Sequence, residues 1–557
     1  MQYPVIRRQI SPLVNIGLMD RFLLSVLPKY GLNRIRAKAA INTLNSGGYI
    51  TPGKTKKSML SWFTSGGSAD YDVLNDLNKS RSGSRDLYMN TPIATAAIRR
   101  LSTNTINAGL TVQSRIDREY LNLSEEQSDT WERNAEREWK LWANSKDCDI
   151  TRTSNFNQLQ YLTFISFLMS GDVFALLPYK ALKTSPYQLR IQLIEGDQIS
   201  NPNDLSEMMP DDKIRGGVEV DVNGTPIAYY IRSKHPGDYT GEWKWKRVSI
   251  FGVTSGRRNV LHVFNKERPG QRRGMPFLAP VLEQLKQLTR LSEAELMGAI
   301  VAAYFTVFIK NVPGDGRLAE GFIPSTLEGA NQNNSLIQDP DTTAGDKNYE
   351  MGSGSVITLD ENEDISIADP KRPNDSFEPF FNAIVREIGA SLELPAEWLM
   401  QVFNTSYSAG RAAMLEAWKT VIKYRKNFVA DFCQPIYEEL LTEAVINGRL
   451  VAPGFLTDPL KKMAWCGTRW GGLGQGQIDP MKETKASILK VRNYLSTHED
   501  ESQSIGNCDW ERTADRLAKE DKILKDKGLI VEESLATADF NADTSVEDSI
   551  DADTAQE

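Results

Sequence analysis

Residues 48–55, with the sequence GYITPGKT, fit the phosphate-binding pattern GxxxxGK[ST]. In such a loop the backbone amides would cradle phosphate groups, Lys54 would contact the terminal phosphates and Thr55 would bind magnesium. That chemistry requires a buried β-strand before the loop, whereas residues 37–45 have the spacing of an amphipathic helix. The sequence also lacks the repeated alternation of strands and helices that builds a nucleotide-binding sheet. We therefore keep nucleotide hydrolysis as an alternative and interpret residues 1–68 as a basic N-terminal arm.

Other residues that could carry out chemistry do not form a recognisable site. His262 could act as a base, but no serine, cysteine or carboxylate at a known spacing supports this role, so we expect a packed or hydrogen-bonded structural histidine. The turn at residues 360–364 contains four acids, but its spacing is not that of an EF-hand, and we interpret it as a solvated turn. His235 and His498 lie in polar surroundings and suggest no metal site. We expect no catalytic residues, no cofactor and no metal.

Length and charge exclude further classes of function. The chain has 557 residues, enough for roughly two to four domain-sized units, and no apolar run long enough to cross a membrane. Its net charge is −8, but residues 531–557 hold nine acids and neither lysine nor arginine, so that the net charge without them is +1. A protein that grips DNA through the phosphates is usually clearly basic. We therefore expect only weak contacts with nucleic acid, and a disordered acidic tail at residues 531–557.

The elements that would position functional residues are clearest between residues 375 and 448. Apolar residues recur at helical spacing in the first part of this stretch, and Pro395 should end that helix. A polar loop follows to Gly410, and a longer helix then begins near Arg411. Pro435 should kink this helix because it lacks a backbone donor and clashes with the preceding turn. The pattern indicates two helices that present an exposed loop to something long and charged.

The remaining sequence alternates helical and β patterns. Residues 70–200 have mainly helical spacing and carry tryptophans that we expect in the core. The turn signal Asn223-Gly224 between two alternating segments predicts a β-hairpin. The stretch 266–274, rich in glycine and arginine, is typical of a solvated turn, and a helix of about 42 Å should follow it. The predicted helices outside the central stretch include residues 277–304, 480–495 and 509–527.

Three short motifs resemble, in the same order, segments of lambda-family bacteriophage portal proteins. They are His262-Val263-Phe264 followed by 269–274 (PGQRRG), residues 405–418 (TSYSAGRAAMLEAW), and residues 478–483 (IDPMKE) followed by 495–497 (LST). The similarity extends from about Ser82 to about Leu529. The first 70 or so residues match the family poorly, and the resemblance does not support the C-terminal tail.

The resemblance implies an α+β portal fold with a wing, a stem of long helices, a small β-containing clip, a tunnel loop and a helical crown. The long helices would line a passage, and the loop between them would face it. The implied divisions are the basic arm (1–68), the first part of the wing (69–265), the first stem helix (266–304), the clip (305–374), the second stem helix (375–394), the tunnel loop (395–410), the kinked long helix with the second part of the wing (411–478), the crown (479–530) and the acidic tail (531–557).

By the same resemblance, the protein is a structural component and not an enzyme. The resemblance implies a ring, a dodecamer in the virion, at one vertex of the capsid, with a channel through which double-stranded DNA is packaged and ejected. The implied partners are further copies of this chain, the large terminase subunit, the major capsid and scaffold proteins, and head-completion or adaptor proteins, with no membrane contact. Assembly would take place in the host cytoplasm, and the final location would be the virion.

The resemblance also assigns residues to the DNA channel. We expect residues 399–410 to face the channel, and basic side chains on the following helix to touch phosphates transiently. Ion pairs between neighbouring copies in the ring are an equally good interpretation of these basic side chains. The predicted set is Asn404, Thr405, Ser406, Tyr407, Ser408, Arg411, Lys419, Lys423 and Lys426.

Overall fold

A computed structural model describes residues 66–202, 213–238, 243–303, 307–311, 363–367, 376–403, 406–476, 480–506 and 509–529. The chain divides into two compact units, Met1–Ser68 and Ala69–Glu557, and the helices and strands given below belong to the second. The phosphate-loop match at residues 48–55 and the acidic segment 531–557 lie outside the described residues.

The second unit begins with three helices separated by short turns. They are α1 (Ala69–Leu74), α2 (Leu77–Asn90) and α3 (Pro92–Thr105). Pro92 occupies the first turn of α3, where a backbone N–H would have no partner within the helix. Ile98 and Leu101 lie one turn apart on the inward face of α3 and are fully buried. Thr91, the residue before this proline, has an extended backbone and marks the boundary between α2 and α3.

A short strand and three further helices build the largest part of the aromatic core. They are β1 (Thr111–Ser114), α4 (Arg118–Leu121), α5 (Glu125–Ala143) and α6 (Phe156–Ser170). Helices α5 and α6 both begin with a capping box, in which the side chain of Ser124 or Asn155 accepts a hydrogen bond from the backbone three residues later. Trp139 and Trp142 lie with their ring centroids 4.9 and 5.7 Å from that of Phe156. These tryptophans are therefore in the core, as predicted.

Two small antiparallel sheets follow, with strand orders β3-β2-β8 and β4-β5-β6-β7. The strands are β2 (Asp172–Leu176), β3 (Gln192–Glu195), β4 (Ile214–Arg215), β5 (Val218–Val220), β6 (Pro226–Arg232), β7 (Trp245–Ser249) and β8 (Val260–Phe264). The hairpin predicted at Asn223-Gly224 is confirmed, since it joins β5 and β6. Gly224 has a φ of 82°, which glycine adopts without a Cβ clash. Val173 in the central strand β2 pairs with Val263 of β8.

The middle of the chain contains two long helices and a two-stranded sheet. These elements are α7 (Leu282–Ala303), β9 (Val307–Asn311), β10 (Glu363–Ile367) and α8 (Phe377–Ser391). A 3-10 turn at Ala279–Val281 delays the start of α7, so this helix is shorter than predicted. Strand β10 pairs antiparallel with β9. The prediction of a turn at residues 360–364 is corrected, because Glu363 and Asp364 belong to a strand.

A nearly continuous helical segment follows a short helix. The elements are α9 (Ala396–Met400), α10 (Tyr407–Phe428), a π-helical turn (Val429–Cys433) and α11 (Gln434–Ile446). The π-helical turn ends two residues before Pro435, so regular α-helical hydrogen bonding is interrupted next to the proline ring, which cannot fit into it. The kink expected at Pro435 stays a prediction. The loop predicted at residues 395–410 is shorter than expected, since α9 and the first turn of α10 are helical. Ser406 makes this earlier start possible, because its Oγ accepts a hydrogen bond from Ala409 N at 3.4 Å.

The last described elements are α12 (Pro459–Trp465), β11 (Thr468–Gly471), α13 (Pro480–Arg492), α14 (His498–Gly506) and α15 (Trp510–Asp526). Strand β11 returns to the start of the unit, where Gly471 pairs with Thr111 of β1. Helices α13 and α15 were predicted, whereas α14 was not. Neither α13 nor α15 has a buried residue, so both lie on the surface of the described structure.

The described structure mixes helices and sheets, in agreement with the predicted α+β class. Its main apolar core joins the helices α3, α5, α6, α10 and α11, and a smaller core lies between β2 and the four-stranded sheet. No helix among the described residues is both long enough and apolar enough to cross a bilayer. The division into wing, stem, clip and crown remains a prediction.

Candidate functional site

The predicted channel segment, residues 399–410, extends into the first turn of α10. Asn404 and Thr405 lie outside the described residues. Ser406 is exposed and caps α10, whose first residue is Tyr407. Ser408 places its Oγ 3.3 Å from Ser406 Oγ. The structure therefore brings two of the predicted hydroxyl groups together at an exposed helix start, where hydroxyls can offer hydrogen bonds to a phosphate backbone.

The residues before this point differ from the prediction. Leu399 is buried in the main core, which corrects the expectation that the whole stretch 399–410 faces a channel. Gln401 has a left-handed backbone with a φ of 57°, and α9 ends there. Val402 and Phe403 come next and are 45% and 59% exposed. Sequence reasoning did not single them out, because a valine and a phenylalanine are normally expected inside.

The four predicted cations lie on two different faces of α10. Arg411 and Lys426 line a cavity of about 1180 Å³ between α10 and the C-terminal helices α13 and α14. Lys419 and Lys423 line a second cavity of about 750 Å³, beside α8 and α9. The cations are thus divided between two faces of α10 and do not form one continuous stripe.

Two of these cations have acidic partners in the same chain. Arg411 Nη1 lies 3.0 Å from Glu483 Oε1 of α13. Lys419 Nζ lies 2.6 Å from Glu416 Oε2, one turn earlier in α10. The Lys419–Glu416 pair is largely exposed and the Arg411–Glu483 pair is partly exposed, and ion pairs in contact with water are weak and open easily. Such pairs within one chain compete with both predicted roles, phosphate contact and pairing between copies.

Lys423 is also paired, whereas Lys426 is not. Lys423 donates to Glu393 Oε2, and Thr420 Oγ1 lies 3.3 Å from the same oxygen. The hydrogen bond from Lys423 lowers the pKa of Glu393 below its ordinary value, so this carboxylate stays ionised near neutral pH. Lys426 is exposed and forms no ion pair with any residue that the structure describes. Lys426 is therefore the predicted cation that is most available to a phosphate.

Arg425 is a further functional candidate that was not predicted. Its Nε donates to the carbonyl of Thr105 at 3.0 Å, and its Nη2 donates to the carbonyls of Asn104 and Leu473 at 2.8 and 3.0 Å. Burial lowers the pKa of Arg425. This side chain ties α10 to the end of α3 and to the glycine-rich segment after β11. Its partners are more than 40 residues away in the sequence, so local patterns carried no signal for it.

A second cluster of charges is completely buried. Asp172, at the start of β2, accepts hydrogen bonds from Arg81 Nη2 and from Arg273 Nε, each at 2.5 Å. Burial alone would raise the pKa of Asp172, but the charges of Arg273 and Arg81 outweigh it and hold that pKa well below its usual range. The carboxylate therefore remains ionised between two guanidinium groups. Together these residues join α2, β2 and the segment before α7.

Arg273 corrects the interpretation of residues 266–274 as a solvated turn. Its side chain is 2% exposed, and its guanidinium also donates to the carbonyls of Gly196 at 2.5 Å and Gly216 at 2.6 Å. A Cβ on Gly196 would lie 2.0 Å from an oxygen of Asp172, so only glycine fits this position. Arginine-rich segments are usually exposed, and the buried carboxylate that reverses this tendency is 101 residues away.

His262 packs against the same cluster. Its ring is stacked between Phe174 and Phe264, with ring centroids 4.1 Å apart on each side. Its Nε2 lies 3.5 Å from Asp172 Oδ2. Burial lowers the pKa of His262, which keeps the ring neutral near pH 7. The predicted structural histidine, packed rather than catalytic, agrees with this environment.

Glu195, Asp197 and His235 place one ligand atom each within 4.8 Å of one another. The surrounding contacts do not fit a cation. Arg85 donates to Asp197, and its Nη2 lies 3.7 Å from Glu195 Oε2, so a guanidinium already lies beside both carboxylates and repels a further cation. His235 Nδ1 accepts a hydrogen bond from Gly237 N at 3.0 Å. Its proton is therefore on Nε2, the nitrogen that faces Glu195, and this tautomer has no free lone pair there for a metal.

Comparison with known proteins identifies the family. A model of the family described as "Phage portal protein, lambda family" matches residues 55–425, which is more than half of the chain. The chain is 24% identical to portal protein B of Escherichia phage lambda over 80% of its own length and 84% of that protein. It is also 24% identical to the portal protein of Escherichia phage N15, with the same coverage.

A solved structure described as the neck of a native GTA particle computed with C12 symmetry is also similar. The match covers 78% of this chain and 94% of the chain in that structure, at 12% sequence identity. The TM-score is 0.39, which is too low to support conclusions about assembly. The family and both relatives named above are described as portal proteins of phages, and none of these descriptions names an enzymatic activity. From the match to its family model, the chain belongs to the lambda family of phage portal proteins.

Proposed function

We propose that this protein forms a ring at one vertex of a phage capsid, with twelve copies in the virion, and that double-stranded DNA passes through the ring during packaging and ejection. The observation that carries the proposal is the family match over residues 55–425. The matched region contains α8, α9 and most of α10, together with the exposed segment that joins them.

The chemistry of the joining segment supports a surface along which DNA slides. Val402, Phe403 and Ser406 are exposed there, and none of them carries a charge. Apolar and hydroxyl groups can touch a duplex without holding a particular phosphate, whereas each lysine or arginine that neutralises a phosphate adds salt-dependent affinity. We infer that this segment, including residues 404 and 405, faces the DNA.

The paired cations of α10 fit the same role. Lys419 and Lys423 are neutralised by Glu416 and Glu393, so their net contribution to the local charge is close to zero. An opened pair can meet a passing phosphate and close again afterwards. We infer that these lysines, with Arg411 and Lys426, contact DNA transiently and do not anchor it.

The positions of the other elements support the predicted divisions. Helices α7 and α8 contact each other and are proposed as the stem, with the β9–β10 sheet as the clip and α13 to α15 as the crown. On this proposal the large terminase subunit and the head-completion or adaptor proteins dock on the clip side, and the major capsid and scaffold proteins surround the ring. Assembly takes place in the host cytoplasm, and the mature protein is part of the virion.

Electron microscopy of the purified full-length protein tests the ring. We expect top views with a central channel and rotational symmetry close to twelvefold, and sedimentation should show a single large species. Particles that remain monomeric or dimeric in the presence of the scaffold and capsid proteins would contradict the proposal.

Nucleotide hydrolysis remains the alternative that the sequence pattern at residues 48–55 suggested. Turnover of ATP by the purified protein, measured for the natural sequence and for Lys54→Ala, separates the two functions. We expect no turnover by either protein and unchanged rings for Lys54→Ala. ATP turnover by the natural sequence that is lost in Lys54→Ala would contradict the structural function and support an enzymatic one.

A further inference from the structure

A basic groove lies between α5 and the first turn of α15. It has a volume of about 650 Å³, and its cations are Arg133, Arg137 and Lys140 of α5 and Arg512 of α15. Leu141, which is 54% exposed, supplies an apolar wall. The three cations of α5 follow one another at spacings of four and three residues, so they lie on one face of the helix. This groove is separate from the segment proposed to face DNA.

The positive charge of the groove is only partly balanced. Arg512 and Lys140 share one carboxylate, that of Glu136, at distances of 2.5 and 3.5 Å. Arg512 is also 3.6 Å from Asp509. Arg133 and Arg137 form no ion pair with any residue in the described ranges. The groove therefore has two unbalanced guanidinium groups and calls for an acidic partner.

We propose that the acidic segment 531–557 of the same chain occupies this basic groove. The segment contains nine acids and no lysine or arginine. It follows α15, the helix whose first turn supplies Arg512. Charge complementarity and a short connection therefore point to the same occupant.

The segment is long enough to return from the end of α15 to the groove. Helix α15 has 17 residues and is about 25 Å long, so the segment must return by about that distance to reach Arg512. Asp543 and Asp551 follow Leu529 by about 14 and 22 residues, and a flexible chain of that length has a root-mean-square extension of roughly 20–26 Å. Effective concentration is highest when the extension of a linker matches the span. Acids in the middle of the segment are therefore placed to meet the groove.

The groove suits a peptide better than a DNA duplex. A volume of about 650 Å³ accommodates a few side chains, whereas a duplex needs cations spread along its backbone. With the segment bound, the carboxylates occupy the groove in place of phosphates and limit non-specific binding of nucleic acid to this surface. This inference does not depend on the ring or on the path of the DNA.

Photocrosslinking in the full-length protein tests the proposal. Leu141 is replaced by p-benzoylphenylalanine, which its exposure allows, and crosslinked peptides are mapped by mass spectrometry. We expect the main crosslink to join position 141 to the segment 531–557. Because the contact is electrostatic, its yield should fall at least about fivefold between ~50 and ~500 mM NaCl. Crosslinks that reach only other parts of the chain, or a yield independent of salt, would overturn the proposal.

Matched charge reversals show whether the groove itself is responsible. The double variant Arg137→Glu and Lys140→Glu should reduce the crosslink yield by at least about fivefold. The control variant Lys519→Glu and Lys522→Glu makes the same change of charge at exposed positions of α15 outside the groove, and it should keep the yield within about twofold. Equal losses in both variants, with circular dichroism showing both folded, would overturn the assignment to the groove.

Two further experiments distinguish the segment of the same chain from a neighbouring copy and from nucleic acid. In a mixture of isotopically light and heavy protein, crosslinks within one isotope support the same chain, whereas mixed crosslinks as the main product would assign the groove to a neighbouring copy and overturn the proposal. Adding a short duplex should lower the segment crosslink by competition. If the segment is not crosslinked either without or with the duplex, and the added duplex is crosslinked instead, the proposal is overturned and nucleic acid is the occupant.

Discussion

Ion pairs occur in two contrasting regions of this portal protein. In the buried cluster, Asp172 is 0% exposed and lies between Arg81 and Arg273, which are each 2% exposed. On α10, Lys423 pairs with Glu393, and both side chains are at least half exposed. The chemical groups are of the same kind, but the solvent is absent from the first region and present in the second.

The difference shows how burial decides what a charge does. In the buried cluster, water cannot replace a missing partner, so each charge depends on the others and the cluster holds distant segments in one arrangement. On α10, water competes for both partners, so a pair can open at little cost. The first region can fix the fold, and the second can respond to a passing phosphate.

The largest expected effect is that of Asp172→Asn. This change leaves Arg81 and Arg273 as buried cations without a counter-charge, and we expect a loss of about 3–5 kcal/mol in the free energy of unfolding. Chemical denaturation followed by circular dichroism measures it. Glu393→Gln is the control, because it removes one exposed carboxylate and should cost no more than about 1 kcal/mol. Equal losses for the two variants would remove the contrast between the regions.

Arg425→Ala should have the next largest effect, since Arg425 is intermediate between the two regions in burial. Its three hydrogen bonds to carbonyl groups disappear, and we expect a loss of about 2 kcal/mol in the free energy of unfolding. The neighbouring Lys426→Ala removes a cation from the same helix without removing an ion pair or hydrogen bond described for it, and should change stability by less than about 0.5 kcal/mol. A loss of stability in Lys426→Ala but not in Arg425→Ala would contradict the role of Arg425 in holding α10 to α3.

His262 gives the buried region a dependence on pH. Because burial lowers the pKa of His262 in the folded state, the unfolded chain binds a proton more readily below about pH 6.5, and stability should fall as pH is lowered through that value. His262→Gln removes this contribution. The stability difference between the natural protein and His262→Gln, measured by denaturation between about pH 7.5 and 5.5, should therefore shrink on acidification. A difference that grows instead would show a protonated histidine paired with Asp172.

The smallest effect on stability belongs to the exposed region. A double-mutant cycle of Lys423→Ala and Glu393→Ala should give a coupling energy of no more than about 1 kcal/mol, and high salt should reduce it further. Denaturation of the four proteins at low and high salt supplies the measurement. A coupling energy as large as the loss of stability in Asp172→Asn would mean that this exposed pair behaves like the buried cluster.

The same exposed region should control DNA binding. Glu416→Gln with Glu393→Gln releases Lys419 and Lys423, and we expect the slope of log affinity against log salt concentration to become steeper by about 1 to 2. Lys426→Gln should make the slope shallower by up to about 1. Fluorescence anisotropy with a labelled duplex at several salt concentrations measures both. Unchanged slopes in both variants would mean that these lysines do not meet phosphates.

Much of the architecture followed from local patterns. The hairpin turn at Asn223-Gly224 was predicted from the sequence, because it acts within a few residues. The proline at the start of α3 and the capping residues Ser124 and Asn155 are local signals of the same kind. Helix starts and turns depend on such short-range contacts. The start of α10 was placed late, since Ser406 was assigned to a loop although serine is a favoured capping residue.

The candidate site was only partly predictable. The sequence located the segment that joins two helices and named the cations that follow it. It could not show that Arg411 has an acidic partner on α13, or that Lys423 has one in the turn between α8 and α9. It also could not separate the cations onto two faces with different neighbours. Which cations remain available depends on the packing of α8, α9 and α13 around α10, and periodicity within one helix does not contain that information.

By itself the sequence determined the family, the types and order of most elements, and the uneven distribution of charge. Short-range rules and motif order are sufficient for those features, because each is written within one continuous stretch of chain. Only the tertiary structure decided which charges are buried. Asp172 meets Arg81 across 91 residues and Arg273 across 101, and the folded chain removes water from all three at once. Where the fold leaves a charged pair in water, as for Lys423 and Glu393, the pair can open and close again.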